Sequence, residues 1–399
     1  MRILQFTLDN PFPPISGGEI RNALNARALA GLGEVLNVHF AGRPATALPP
    51  NVRQRLIEAA RGRVPWQRRS PHPTIHVLPD DELAEATTIW KDFAPDLVMV
   101  EDIALSQLLT LAAKHGGRTV IDMHNIDSRT TADRLRSMPL WRRLRRFHTH
   151  RHKNALARQA DIVAGRLADQ VWVCSETDRK SLLSLGPVAD VRIIANPIPD
   201  ETVLSLPITP ARYARLDLCF IGHLGYFPNV DAVRQLGRKM VPRLAAAGRE
   251  WSITVAGKNP LETVRQFCAS HGLRLVADPP RLPELLAAAG YAPMPLRYGG
   301  GTRIKALEAM AAGLVVCATP KAVEGLGLQS GLHYLAGRDA DDLAGQIVTL
   351  AARPEQAVEI ATAGRAFVQE HHMPEVIEAG IRQAVSAIAP ASGSPTGRS

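Results

Sequence analysis

The chain reads as α/β, built from two doubly wound domains, each a parallel sheet with helices on both faces. Three observations give this class. Short, near-continuous apolar runs alternate along the whole sequence with segments of helical periodicity, the pattern of strands buried on both faces and joined by crossover helices. A length of 399 residues exceeds what one hydrophobic core serves and favours two domains. Between the halves, Pro197–Asp217 holds Pro197, Pro199, Pro207 and Pro210 and has a weak helical signal, as a linker does.

The elements follow in order. In the first half the apolar runs Arg2–Phe6, Val35–Phe40, Thr74–Leu78, Leu97–Val100, Thr119–Met123, Val171–Cys174 and Val191–Ala195 read as strands. Helical periodicity covers Gly18–Ala30, Leu83–Phe93, Leu105–His115 and a long segment within Ser128–Gln159. The second half repeats the pattern, with strands at Leu218–Gly222, Ile253–Ala256, Leu273–Val276, Ala292–Leu296 and Val315–Ala318. Its helices fit Val230–Ala246, Leu261–His271, Leu282–Ala289 and Ile304–Ala312, with more after Asp341. Two such domains facing each other would leave ligands at the carboxyl ends of the strands, in a cleft. The end, PASGSPTGRS, is rich in Pro, Ser and Gly and reads as a disordered tail over 390–399.

Composition narrows the function classes. No apolar run reaches the roughly 20 residues of a membrane span. The opening MRILQFTLDNPFPP has too short an apolar stretch for a secretory leader and reads as a first strand. Cys174, Cys219, Cys268 and Cys317 are far apart and lack CxxC spacing, so they read as core thiols of a cytoplasmic protein rather than disulfides or zinc ligands. The net charge of +9 favours anionic partners. Ten of the basic residues fall between Arg129 and Arg158 against one acid, Asp133, so that charge is concentrated on the first half.

One segment carries most of the chemistry. Pro295–Glu324 runs from a strand end into Gly299, Gly300 and Gly301, then Thr302, Arg303 and Lys305, then a helix bearing Glu308. Successive glycines let a backbone approach a ligand closely, and a helix that opens there offers free N–H groups and a positive dipole end to an anion. Arg303 and Lys305 stand where a helix start ordinarily prefers acids. That conflict points to a bound anion rather than a plain strand-to-helix turn. Glu308 can accept hydrogen bonds from sugar hydroxyls. Together these suggest a nucleotide-sugar site.

Weaker signals lie in the first half. Gly17 and Gly18 precede a helix, where their N–H groups can approach an anion, or simply make a helix entry. His124 and Asn125 sit at a strand end in IDMHNIDS, where a His can donate to a sugar hydroxyl or a developing charge, or be structural. Asp122 and Asp127 are placed to orient that ring or cap the next helix. The one Asp-x-Asp triplet, Asp339–Asp341, opens a late helix and reads as a cap, so no essential metal is expected. In MPLWRRLRRF, Leu140, Leu144 and Phe147 share a helical face beside Trp141, flanked by Arg142, Arg143, Arg145 and Arg146. This fits either a membrane-surface helix or a packed helix with a solvated basic face. Nucleic acid is not expected, because aromatics are few and no recognition motif appears.

With these pieces placed, the sequence resembles the family 4 glycosyltransferases, retaining enzymes of the two-domain GT-B fold. The resemblance rests on FTLDNPFPPISGGEIRN, IDMHNIDS, VWVCSETDR, FIGHLGYFPNVDAVRQL and, most specifically, PLRYGGGTRIKALEAMAAGLVVCAT, five segments in family order. It implies a subgroup tied to surface polysaccharide assembly. It implies domains at 1–205 (acceptor) and 206–373 (nucleotide sugar), with a C-terminal helix over 374–389 packing back on the first. By the same resemblance Glu308 binds the nucleotide ribose, and Arg303 and Lys305 lie on the phosphate side. Gly17, Gly18, Gly222, Gly300, Gly301 and Thr302 line the donor, and His124 meets the transferred sugar. Two departures stand out. Gly300 replaces the first Glu of the family's Glu-x7-Glu pattern, and His223 replaces the phosphate-gripping Arg of the second domain's first loop, with no Lys after it.

The expected activity is therefore transfer of a sugar from a nucleotide diphosphate to a glycan or lipid-linked glycan, without a cofactor. The expected place is the cytoplasm, with a peripheral contact to the anionic inner face of the membrane. A GT-B nucleotide-sugar epimerase and a catalytically inactive GT-B scaffold at the membrane are the alternatives.

Overall fold

In the computed structural model, thirteen strands fall into two all-parallel sheets among the described residues, which are 1–14, 16–42, 47–58, 78–136, 140–145, 147–188, 190–299 and 303–388. The first sheet contains β1 (Arg2–Asp9), β2 (Glu34–Ala41), β3 (Val52–Leu56), β4 (Leu97–Glu101), β5 (Arg118–Met123), β6 (Gln170–Val173) and β7 (Asp190–Ile193). Their spatial order is β3-β2-β1-β4-β5-β6-β7. The second contains β8 (Leu216–Ile221), β9 (Trp251–Gly257), β10 (Arg274–Ala277), β11 (Tyr291–Met294), β12 (Val315–Ala318) and β13 (Leu335–Ala336), ordered β10-β9-β8-β11-β12-β13. Chain order reverses between β1 and β4 in one sheet and between β8 and β11 in the other. At such a switch point the adjacent crossovers leave in opposite directions, opening a crevice at the carboxyl ends of the strands.

Two compact units result. One comprises the described residues of Met1–Pro197 with the helix that starts at Pro374; the other comprises Ile198–Gly299 and Arg303–Met373. Helix Pro374–Ser386 belongs to the first unit because its apolar face, Ile377, Ile381 and Val385, joins the core under helix Gly17–Ala30. An Arg27–Glu378 ion pair at 3.4 Å lies on the same helix contact. Trp90 and Trp172 are fully buried in the first unit, and the Tyr213 and Tyr291 rings meet edge to face in the second.

Several elements differ from the sequence reading. The expected strand Thr74–Leu78 falls largely in 59–77, outside the described residues. The sheet edge is instead β3, whose VRQRL buries only Val52 and so shows no apolar run. The segment read as helix Leu105–His115 is a 3-10 helix over Ile103–Leu111 followed by one α-turn, Ala112–His115. Within the long helix expected in Ser128–Gln159, the described residues are helical over Asp127–Arg136, Leu140–Arg145 and Phe147–Leu167. Helix Val230–Ala246 is interrupted. It runs as α over Phe227–Gln235, widens to a π-turn over Leu236–Met240, and resumes over Val241–Ala245, where Pro242 cannot donate to the helical ladder. All four cysteines are buried, and none is in a disulfide. No described helix is long and apolar enough to cross a membrane.

Candidate functional site

Both switch points carry buried polar chemistry. In the first unit, apolar strands are broken by inward polar residues in register: Gln5 pairs with Asn37 and Asn37 with Gln54, while Glu101 pairs with Asp122. Helix Gly17–Ala30 lies against them. Ser16 caps it, accepting from the Glu19 N–H at 3.2 Å and donating to the Glu19 carboxylate at 3.1 Å, a reciprocal cap. Its buried residues include Arg21, Asn22 and Asn25 beside the apolar Ala23, Leu24, Ala26, Ala28 and Leu29.

The result is one hydrogen-bonded chain. Gln54 donates to Asn37 (3.1 Å), Asn37 to Gln5 (3.1 Å), and Gln5 to Glu101 (2.7 Å). Asn25 donates to both Glu101 oxygens at 3.1 Å and to Asp122 at 2.8 Å. Arg21 grips Asp122 bidentately, at 2.5 and 2.7 Å, and donates to Asn196 at 2.8 Å. Burial alone would raise Asp122, yet the Arg21 guanidinium and the neighbouring His124 hold it below the usual carboxylate range. Glu101 lacks a guanidinium, and burial pushes it above that range although His124 and Gln5 act to lower it.

His124, just past β5, closes the group. Its Nε2 lies 3.6 Å from Glu101 Oε2 and 3.8 Å from Asp122 Oδ2, and its Nδ1 lies 3.7 Å from Asp102 Oδ2. Burial would lower the imidazole, but the surrounding carboxylates outweigh it and the net shift is upward. Gly18 faces the ring, and a Cβ there would stand 3.4 Å from Nδ1. Turned with its nitrogen inward, the Asn22 amide donates to Gly18 O at 3.1 Å and Glu101 Oε2 at 3.2 Å and lies 3.0 Å from His124 Nε2.

Donor atoms of Glu101, Asp122 and His124 lie within 4.8 Å of one another, close enough for a shared ion. The partners argue otherwise. Both Asp122 oxygens are taken by a guanidinium and both Glu101 oxygens by amides, so the set is a charge network already satisfied by protein donors.

In the second unit the crevice is formed by the loops after β8, β9 and β11. Gly257 must lack a side chain, since a Cβ would stand 1.7 Å from the Gly222 carbonyl oxygen. A Cβ at Gly222 would stand 2.8 Å from the Asn229 amide nitrogen. That amide donates to the His223 carbonyl at 2.9 Å and accepts from Lys305 Nζ. Lys305 Nζ also stands 5.5 Å from the centre of the Phe220 ring. Burial, with Arg303 nearby, pulls the ammonium down to about 7. His223 Nε2 meets the Asn259 amide nitrogen at 3.0 Å.

Arg303 precedes helix Ile304–Ala311, which no side chain caps. Its guanidinium is 6% exposed and donates to the carbonyls of Lys321 (3.1 Å) and Gly299 (2.8 Å). Gly299 turns there at φ 126, a conformation that favours glycine. Glu308 is buried on the same helix, and burial, with the Asp200 charge, pushes its carboxyl up to about 7. Asp339 accepts from the Asp341 and Asp342 N–H groups and caps helix Ala340–Ala351.

The structure thus brings Gly18 and His124 together in one unit, and Gly222, Arg303, Lys305 and Glu308 in the other. Gly17 is the first residue of its helix. Gly300, Gly301 and Thr302 lie outside the described residues, as do Arg146 and the Arg142 side chain. Trp141 is 60% exposed, and Arg143 and Arg145 are exposed with it on helix Leu140–Arg145. Sequence reasoning missed Arg21, Asn25, Glu101, Asp102 and Asn229. A signal existed for the first three: charged and amide residues inside otherwise apolar runs, IRNALNARALA and LVMVE.

Residues 215–353 match the family model described as glycosyl transferases group 1, so the second unit carries a domain of that kind and the expectation of a glycosyltransferase holds. Solved structures of the same fold extend the likeness to nearly the whole chain. Alr3699/HepE from Anabaena, in complex with UDP and glucose, is 14% identical with a TM-score of 0.67, covering 97% of this chain and 100% of that one. Sucrose-phosphate synthase from Thermosynechococcus elongatus is 17% identical with a TM-score of 0.69, covering 97% and 99%. A UDP-forming α,α-trehalose-phosphate synthase from Burkholderia xenovorans is 11% identical with a TM-score of 0.64, covering 98% and 99%. The fold is accordingly GT-B. No curated protein matches the chain.

Proposed function

We propose that the protein is a retaining glycosyltransferase of family 4 that moves a sugar from a nucleotide diphosphate to a glycan or lipid-linked glycan of the cell envelope. The observation that carries this reading is the entry to helix Ile304–Ala311. There an uncapped helix start, Arg303, a buried Lys305 whose ammonium burial disfavours and a buried Glu308 stand within one turn and a half. A cation kept from its charge by burial gains most when a diphosphate arrives. Glu308 is the acceptor for ribose hydroxyls. The UDP and glucose in the Anabaena relative support the same class of donor.

In this reading Arg303 acts partly through the loop it ties, holding Gly299 against the helix so that the segment after it meets the phosphates. Gly17, Gly18 and Gly222 keep the backbone close to the donor, and His124 meets the transferred sugar. Glu101 and Asp122 are locked by amides and Arg21, so these two do not make a free nucleophile-and-acid pair of the glycosidase kind. The resemblance to the family then implies that the departing phosphate takes the acceptor's proton on the same face, the protein supplying position and charge. No divalent metal is required in this scheme, since the Asp-x-Asp triplet is spent on a helix cap.

A screen of nucleotide sugars, with turnover followed as release of nucleoside diphosphate, tests the reading. One donor class turned over in the presence of a carbohydrate acceptor is the expected result. An epimerised donor in the absence of acceptor would make the protein an epimerase. No binding of any nucleotide diphosphate by calorimetry would make it a scaffold.

A further inference from the structure

The start of helix Phe227–Gln235 meets the segment around the glycine turn residue by residue. The Phe227 ring stacks on Tyr298 with centres 5.6 Å apart. Pro228 lies against Gly299, where a Cβ would stand 3.4 Å from the proline Cγ. Asp231 accepts from Arg297 Nε and Nη2, at 2.9 and 2.6 Å. Among these contacts stands Asn229, 3% exposed, which accepts from Lys305 Nζ.

The Asn229 amide fits only one way round. Its nitrogen donates to the His223 carbonyl at 2.9 Å, and a carbonyl oxygen can only accept. Its own oxygen is thereby turned to Lys305 Nζ, a donor. A carboxylate at this position would face the His223 carbonyl with a second acceptor and would add a negative charge. An apolar side chain would leave Nζ without this acceptor. Long side chains in a helix lean toward its N-terminus, so Lys305, in the first turn of helix Ile304–Ala311, extends toward the end where uncapped N–H groups would meet an anion.

We propose that Asn229 is a positioning residue of this anion site: it fixes Lys305 Nζ at the helix entry without supplying a charge that would compete with the ligand. That the anion is the diphosphate of a donor rests on the function proposed above; the placement of Lys305 by Asn229 does not. The contacts of Phe227, Pro228 and Asp231 hold the helix start in register with the loop, so the amide is presented from a fixed backbone. The neighbouring charges leave this task to the amide. Burial and the Arg303 charge act against the ammonium, burial and Asp200 act on Glu308, and His223 Nε2 is taken by the Asn259 amide at 3.0 Å.

The test is calorimetric binding of inorganic pyrophosphate, the anion common to nucleoside diphosphates, by the full chain across the neutral pH range. Asn229→Ala should weaken binding about tenfold, and Asn229→Asp by at least as much. Comparison with Lys305→Met isolates the part of the affinity that depends on the lysine, which is lost as pH rises and the ammonium discharges. The midpoint of that loss should fall by on the order of one pH unit in Asn229→Ala, which removes an acceptor, and rise by as much in Asn229→Asp, whose carboxylate favours the cation. A merely structural role would not move the two in opposite directions. In a Lys305→Met background Asn229→Ala should cost nothing further. If one Asn229 variant fails to fold, the other decides. Affinity within twofold of wild type, midpoints displaced in the same direction, or an undiminished loss in the Lys305→Met background would overturn the proposal and leave the proposed function standing. A wild-type chain that binds neither pyrophosphate nor any nucleoside diphosphate would overturn both.

Discussion

Glu308 and Lys305 are held in opposite senses by the same burial, and this makes the empty site pH-sensitive. The Glu308 carboxyl is raised from 4.5 to about 7, so its folded form prefers the proton. Its contribution to stability is therefore complete below pH 4.5 and is lost as pH rises through about 7. Lys305, lowered from 10.5 to about 7, contributes fully above 10.5 and loses that contribution as pH falls through about 7. The two slopes oppose, and the unliganded protein should carry its largest penalty near neutrality. Glu308→Gln should accordingly stabilise the free protein by on the order of 1–3 kcal/mol at pH 8 and leave it unchanged at pH 4, while weakening nucleotide binding. Denaturant midpoints at the two pH values check the first part and calorimetry the second. For Arg303→Ala the expectation is a loss on the order of 10²–10³ in turnover. Activity within threefold of wild type would remove Arg303 from the site.

At the scale of elements, helices are placed by caps and by what their inner faces can satisfy. Helix Ala340–Ala351 begins with Asp339 accepting two N–H groups. Asp339→Ala should cost about 1 kcal/mol, read as a lowered melting temperature, with activity retained. A loss of activity with stability unchanged would instead reopen the Asp-x-Asp triplet as a metal site. The same scale explains what was legible. The Arg303, Lys305 and Glu308 pattern could be read because these residues stand in one local segment. Asn229, which joins Lys305 to the His223 loop, stands 76 residues away, and only the switch-point topology brings it there. Arg303 was legible as a cation but not as the donor that ties two loop carbonyls. Strand β3 escaped because an edge strand with one buried residue needs no apolar run. The polar residues on the inner side of helix Gly17–Ala30 depart from amphipathic expectation because Arg21 and Asn25 answer carboxylates that no periodicity announces.

For the whole molecule, the charge is uneven and the exposed Trp141, Arg143 and Arg145 gather within the basic region. With about 1 kcal/mol gained per basic residue near an anionic surface, flotation with vesicles should rise with their anionic lipid content and fall with salt. Flotation indifferent to anionic lipid would leave that helix a solvated face. The two sheets repeat one device, a crevice at a strand-order reversal, and furnish it differently. The first holds a locked carboxylate–imidazole network and the second a cation-bearing helix entry. The most direct measurement is the anomeric configuration of the product, followed by NMR from the start of turnover of the accepted nucleotide sugar. The account predicts the donor's configuration retained in the glycoside formed. An inverted product, or no nucleoside diphosphate released from any donor, would contradict it.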